Sequence, residues 1–129
     1  MFEINKEDKT ISVTRGDAAH ISFGANRRDG SPYTFVKEDI VRFKILEKNR
    51  CDKVLLKKDV SAQEESTSVL IVLESSETRL GGIINKPVEY WYEIELNPDT
   101  PRTQTIIGYD KLGPKIFRLY PEGSDENVE

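Results

Sequence analysis

Few side chains of this sequence could carry out chemistry, and their spacing matches no catalytic pattern. His20 is the only histidine, and Ser22 and Asp17 would be its partners in a nucleophilic triad. The three residues are close neighbours in sequence, without the glycine-flanked serine of a nucleophile elbow around them. Pairing His20 with Cys51 would be equally arbitrary. The sequence therefore predicts no catalytic residue and no enzymatic activity, and it indicates that His20 faces solvent.

Glu93 and Glu95 are a pair of acids with a spacing that catalysis could use. On a strand their β carbons would lie about 7 Å apart on the same side, a separation that overlaps the range for paired carboxylates in glycosidases. We favour the simpler interpretation that glutamates at alternate positions mark the solvated face of an antiparallel sheet. Patterns such as Cys-x-x-Cys, His-Glu-x-x-His and the calcium-binding loop are missing, so neither a metal nor a cofactor is expected.

Length, charge and cysteine content narrow the class of protein. A chain of 129 residues is about one domain long. Its net charge is −4, and it has no concentrated basic stripe of the kind that binds nucleic acid. We recognise no signal peptide and no apolar run of about 20 residues, so we expect no membrane segment. The lone Cys51 cannot form an internal disulfide, which fits a reducing compartment.

We expect a single β-sandwich domain over residues 1–121 and an acidic tail over residues 122–129. The tail, EGSDENVE, contains Glu122, Asp125, Glu126 and Glu129 and neither lysine nor arginine. This composition is typical of a disordered end or a short linker. The alternative is that the tail docks on a basic surface of a partner.

Apolar and polar residues alternate with a period of two, which predicts strands along the chain. The runs AHISFG (19–24) and DIVRFKILEK (39–48) show the pattern, and TSVLIVLE (67–74) is apolar on both faces and is predicted to be a central strand. The clearest run has one face made of Val88, Tyr90, Tyr92, Ile94 and Leu96 and another made of Glu89, Trp91, Glu93 and Glu95. About eight or nine strands are expected in all.

Turn residues separate these runs. Gly30 and Pro32 in NRRDGSPY predict an exposed loop. Ser75 or Ser76 could cap one short helical turn near 75–80, which Gly81 could end. We therefore predict an all-β fold, namely an antiparallel β-sandwich of the immunoglobulin-like type with that one helical turn. A β-barrel is the alternative architecture.

Arg15, Gly16 and Asp17 form the tripeptide known from integrin-type adhesion signals, and they lie between two alternating runs. Glycine supplies backbone freedom for a turn, and aspartate can cap the turn with its side chain. Integrin binding needs export, for which the sequence shows no signal. We therefore interpret the tripeptide as a structural turn between consecutive strands.

Trp91 is the most informative single residue. If Tyr90 and Tyr92 point inward, Trp91 points outward between Glu89 and Glu93, where a large apolar ring is costly unless something covers it. The cover is either a loop of the same chain or a partner, such as a second subunit or a sugar ring. Our hypothesis places Trp91, Glu89 and Glu93 in a subunit interface.

Five motifs follow one another along the chain: TRGD, RDGSPYTFVKEDIVRFKI, L-x-x-S-E-T-x-L, YWYEIEL and TQTIIGYDKLGPKIFRLYPEG. In this order they resemble small structural proteins encoded by tailed phages and prophages of Gram-positive bacteria. The named group they resemble is the immunoglobulin-like N-terminal module of phage baseplate upper proteins. The resemblance extends from about Thr10 to Gly123, and its motifs are turns and strand cores.

Individual positions carry this resemblance. The turn 15–17 matches the opening turn of the family, and Gly30, Pro32 and Tyr33 match its G-x-P-Y step. Residues 90–94 match a strand that commonly reads Tyr-x-Tyr-Asp-Ile, with glutamate in place of aspartate. The chain departs from the family at 37–39, where Lys-Glu-Asp stands in place of the common Gly-Asp.

The resemblance implies a structural module of a virion tail or baseplate that acts through protein–protein contacts, without cofactor or turnover. Its partners would be other virion or baseplate proteins, and we expect a homo-oligomer that is made in the bacterial cytoplasm and located in the virion. Neither nucleic acid nor membrane is an expected partner. The alternative function is a carbohydrate-binding or cell-surface adhesion module, with Trp91, Tyr109 and Tyr120 as stacking residues.

Overall fold

The structure is a computed structural model that describes residues 1–27 and 29–122, with the backbone alone at position 51. This part of the chain contains strands and turns but no helix, and hence no helix able to cross a membrane. The strands are β1 (Phe2–Ile4), β2 (Ile11–Thr14), β3 (Ala19–Phe23), β4 (Ile40–Glu47), β5 (Arg50–Ser61), β6 (Val69–Leu73), β7 (Val88–Leu96), β8 (Gln104–Ile107) and β9 (Lys115–Tyr120). The predicted all-β class is confirmed.

The strands form two sheets that pack as a sandwich. The large sheet has the order β1-β2-β9-β7-β4-β5, with β8 pairing with β7, and the small sheet consists of β3 and β6. The order β9-β7-β4-β5 is that of the G, F, C and C′ strands of a variable-type immunoglobulin domain, and β3 and β6 take the places of strands B and E. The predicted β-sandwich is therefore confirmed.

The prediction of a purely antiparallel sandwich is wrong for one pair of strands. β2 and β9 run parallel, with a register from Ile11 opposite Phe117 to Thr14 opposite Tyr120. The other pairings are antiparallel. β2 and β9 come from opposite ends of the described chain, so no hairpin fixes their relative direction. The sheet is therefore mixed.

Alternating side chains build the core, as the sequence predicts. On β7, Tyr92, Ile94 and Leu96 are buried, whereas Trp91, Glu93 and Glu95 keep partial exposure. The Tyr92 and Phe43 rings lie 5.7 Å apart at the centre of the large sheet. The small sheet contributes inward-facing residues to the same core, among them Ile21, Val69, Ile71 and Leu73.

Strand β6 is not central, which corrects a prediction from its apolar sequence. Among the described strands it pairs with β3 alone. Its inward face is buried, but Leu70 on the other face is 50% exposed. One apolar face of β6 is turned to the core. The other is partly solvated, because nothing in the described part of the two-stranded sheet covers it.

The predicted helical turn near 75–80 is instead a pair of overlapping hydrogen-bonded turns. The Glu77 N–H donates to the Glu74 carbonyl, and the Arg79 N–H donates to the Ser76 carbonyl. Gly81 follows with φ +64°, the left-handed backbone that its glycine permits. Thr78, within these turns, is fully buried, which ties the segment to the body of the sandwich.

Candidate protein-contact face

A row of apolar side chains crosses the outer face of the large sheet. Trp91 on β7 lies directly opposite Ile116 on β9 and Leu46 on β4. Leu46 in turn lies opposite Val54 on β5. Directly paired residues point to the same side of a regular sheet, so Leu46, Trp91 and Ile116 form one row, which Val54 follows across an irregularity in the β4–β5 register. We call these four residues the Trp91 row.

The members of the Trp91 row differ in exposure. Leu46 is fully buried although it does not belong to the core cluster, Trp91 and Ile116 are half-buried, and Val54 is 44% exposed. The sheet has a register irregularity on each side of Leu46, a bulge of the kind that re-aims side chains. The row is therefore part buried seam and part accessible apolar surface.

A loop aromatic covers part of the Trp91 ring. Tyr109, from the connection between β8 and β9, packs edge-to-face on Trp91 with the ring centroids 5.8 Å apart and an interplanar angle of 69°. Such pairs contribute about 0.5–1.5 kcal/mol beyond the area they bury. Of the two covers expected from the sequence, the loop of the same chain is thus present. Tyr109 itself stays 65% exposed, which extends the apolar surface outward.

Ion pairs flank the Trp91 row on both sides. On one side, Lys44 lies 3.5 Å from Glu93 and 3.4 Å from Glu95. On the other side, Glu89 accepts hydrogen bonds from Arg118, and Lys48 lies 3.4 Å away. An apolar centre with a charged rim is the usual anatomy of a protein interface.

The charges of this rim are held in place. The hydrogen bonds from Arg118, and secondarily from Lys48, keep the pKa of the Glu89 carboxyl below its usual range, against the opposing effect of burial. Glu93 and Glu95 share the ammonium group of Lys44, an arrangement typical of a solvated sheet face. The predicted interface residues Glu89, Trp91 and Glu93 therefore lie together on one face.

The tripeptide forms the turn between β2 and β3, and its arginine points into the protein. Arg15 is 8% exposed. Its guanidinium donates to the Glu122 carboxylate at 2.8 Å and to the Gly81 carbonyl at 3.1 Å. Arg79 donates to the same carboxylate at 2.9 and 3.0 Å. The side chain that an adhesion receptor would have to contact is thus used internally.

The rest of the tripeptide is tied to Thr78. Gly16 has φ +91°, and its N–H donates to the Thr78 hydroxyl at 3.0 Å. That hydroxyl donates to the Asp17 carbonyl at 2.8 Å. Neither Thr78 nor Glu122 was expected from the sequence, because both come from distant segments. Glu122, the first residue of the predicted acidic tail, is an internal ion-pair partner, and residues 123–129 lie outside the described part.

The loop around Gly30 and Pro32 is a turn stabilised by a side chain. Gly30 has φ +91°, and the Ser31 N–H and hydroxyl both donate to the Asp29 carboxylate. Pro32 forms an isolated bridge with Asn26. The turn therefore has the structure that its residues predict.

Buried Asp39 fixes the base of the same loop. Its carboxylate accepts hydrogen bonds from the Tyr33 hydroxyl, the Val36 N–H and the Asn97 amide. Burial raises the pKa of Asp39, but these hydrogen bonds outweigh burial and keep the pKa below its usual range. Asp39 thus connects the loop before β4 to the loop after β7.

The other candidate residues stay apart from any such arrangement. His20 and Ser22 are exposed on the outer face of β3, and the Cys51 side chain is outside the described atoms. In the residues that the structure describes, no three His, Cys, Asp or Glu side chains are grouped as a metal site requires. Comparison with known proteins finds no matching family model and no similar curated protein.

Proposed function

We propose that this protein is a non-enzymatic module that binds another protein through the Trp91 row and its charged rim. The observation that carries this proposal is the partly exposed apolar row across β5, β4, β7 and β9, which is interrupted at buried Leu46 and has ion pairs on both sides. Aromatic residues are enriched at the centres of interfaces, where they contribute most of the binding energy. Trp91 and Tyr109 take that central place here.

The biological setting that we propose is the tail or baseplate of a tailed phage or prophage. The sequence motifs from TRGD to YPEG support this setting, and an immunoglobulin-like strand order is compatible with it. A sandwich of this kind offers flat sheet faces as docking surfaces, and symmetric assembly repeats them. Its partners would be other virion proteins and further copies of itself.

Light scattering on the purified protein over a range of concentrations tests the role of the Trp91 row. The wild-type chain is expected to show a concentration-dependent mass above that of a monomer, and Trp91→Ala is expected to shift it towards the monomer. The matched control is Leu70→Ala, because Leu70 is a large apolar residue, 50% exposed, on the other sheet. A wild-type mass that Trp91→Ala leaves unchanged contradicts the proposal.

A carbohydrate-binding function is the second candidate, favoured by the exposed ring of Tyr109 beside Trp91. Tyr120 does not extend this pair, because it follows Ile116 by four residues on β9, a rise of about 13 Å, and Arg118 lies between. A glycan array separates the candidates. Reproducible binding that both Trp91→Ala and Tyr109→Ala abolish would favour carbohydrate, and a blank array would favour protein.

A further inference from the structure

An open groove of about 910 Å³ lies at the end of the sandwich where β7 finishes. Its walls are the connection between β3 and β4, the connection between β7 and β8, and strand β8. Tyr33, Asp39 and Asn97 line it, and their mutual hydrogen bonds hold the two connections together. The groove is therefore built on fixed walls.

The groove carries cations that lack acidic partners. Arg27, Arg102 and Lys9 line it, and none of them has a carboxylate within 4.0 Å in residues 1–27 and 29–122. Arg27 lies over the Tyr33 ring at 5.7 Å from its centroid. Of the two acids in the lining, Asp39 is already engaged by three hydrogen bonds. The groove thus offers a surplus of positive charge to an anionic ligand.

The chain itself contains a segment of complementary charge. Residues 123–129 read GSDENVE, with three acidic residues and no lysine or arginine. The segment follows Glu122, which is bound to Arg15 and Arg79 at the tripeptide turn. Because β9 is antiparallel to β7, Leu119 lies beside Val88, so Glu122, which precedes the segment, lies at the end of the sandwich opposite the groove.

The segment is too short to fill the groove of its own chain. From Val88 to Leu96 the strand rises by about 27 Å. Seven residues span at most about 25 Å when fully extended, and the four residues from Glu122 to Glu126 reach at most about 14 Å. Asp125 and Glu126 therefore cannot reach the groove of the same chain. The groove of a second copy has no such restriction.

We propose that the acidic segment 123–129 of one copy binds in the groove of a second copy, against Arg27, Arg102 and Lys9. The contact joins one end of the sandwich to the opposite end of the next, so it is heterologous and produces rings or open chains of copies. It uses neither Trp91 nor its rim, and it is therefore a second assembly contact, independent of the proposed face.

Sedimentation of full-length variants tests the contact. The double variant Arg27→Glu/Arg102→Glu reverses the charge of the groove, and Asp125→Lys/Glu126→Lys reverses the charge of the segment. Each double variant alone is expected to weaken head-to-tail association about tenfold or more. The chain that carries all four changes is expected to recover it, as is an equimolar mixture of the two double variants. Raising the salt from about 0.05 M to about 0.5 M should weaken the wild-type contact by screening.

The result that overturns the proposal is association that neither double variant weakens, or weakening that the combined chain does not reverse. A polyanionic polysaccharide that binds the groove while the segment has no effect would likewise overturn it. All variants are made in the Trp91→Ala background as well, where the head-to-tail contact should persist in the chain whose groove and segment are unchanged. If Trp91→Ala alone, with groove and segment unchanged, abolished the salt-sensitive association, the proposal of an independent second contact would be overturned.

Discussion

At one end of the sandwich Arg15 and Arg79 share the Glu122 carboxylate, whereas at the other end Arg27 and Arg102 have no acid within ion-pair distance in the described part of the chain. Arg15 is 8% exposed, and both groove arginines are exposed. The first end uses arginine to hold the fold, and the second presents it to solvent. Substitutions should therefore change the stability of the protein at the first end and binding at the second.

The largest effect is expected for Arg15→Met. It leaves the Gly81 carbonyl without its donor, and Glu122 loses its more buried partner but keeps the hydrogen bonds from Arg79. Losing these two hydrogen bonds should cost about 2–3 kcal/mol of the free energy of unfolding. The matched control at the other end, Arg27→Met, should cost less than about 0.5 kcal/mol. Urea denaturation measures both, and equal losses would erase the contrast between the ends.

Asp39→Ala should cost about 2 kcal/mol, because the Tyr33 hydroxyl, the Val36 N–H and the Asn97 amide lose their common acceptor. Glu38→Ala is the control, since the exposed Glu38 lines the same groove and should leave stability unchanged. Comparing the two variants shows whether the hydrogen bonds of Asp39 hold the walls of the groove in place. A fully stable Asp39→Ala protein would mean that the walls are held in another way.

Two glycines with the same backbone angle sharpen the comparison further. Gly16 and Gly30 both have φ +91°, so alanine at either should cost about 1 kcal/mol through the left-handed backbone. At Gly16 the new Cβ would also lie 2.8 Å from the Arg79 guanidinium and the Glu122 carboxylate, whereas at Gly30 nothing lies within 4 Å. Thermal unfolding should therefore show a larger loss of stability for Gly16→Ala than for Gly30→Ala. The reverse order would contradict the close packing of Arg79 and Glu122 against Gly16.

The smallest expected effect is a pH dependence at the groove end. The pKa of Asp39 is lower in the folded protein than its usual value, so the ionised carboxyl stabilises the fold above pH about 4 and this contribution is lost as the pH falls through the folded-state pKa. Urea midpoints between about pH 6 and pH 3 should fall less for Asp39→Asn than for the wild type. Parallel curves would argue against a depressed pKa.

The sequence was sufficient to predict the strands, because alternation reports locally which face of each strand is buried. It correctly oriented Tyr92 and Trp91 on opposite faces of β7. It could not show that β2 runs parallel to β9 or that β6 has one partner, since these features depend on which distant strands meet. A hydrophobic pattern alone does not carry that information.

The candidate sites show the same division. The outward position of Trp91 follows from its own strand, but the Trp91 row needs the register of four strands and the bulge beside Leu46. Likewise, the internal partners of Arg15, namely Glu122 and the Gly81 carbonyl, come from distant segments of the chain. Single residues were predictable, and the surfaces that they form together were not.

The parallel pairing of β2 with β9 also has a mechanical consequence. Opposite forces on the N-terminal end of β2 and the C-terminal end of β9 act along the strands. Because the two strands are parallel from Ile11–Phe117 to Thr14–Tyr120, the hydrogen bonds between them bear the load together instead of opening one after another. A body tethered through these two strands is therefore suited to resist tension.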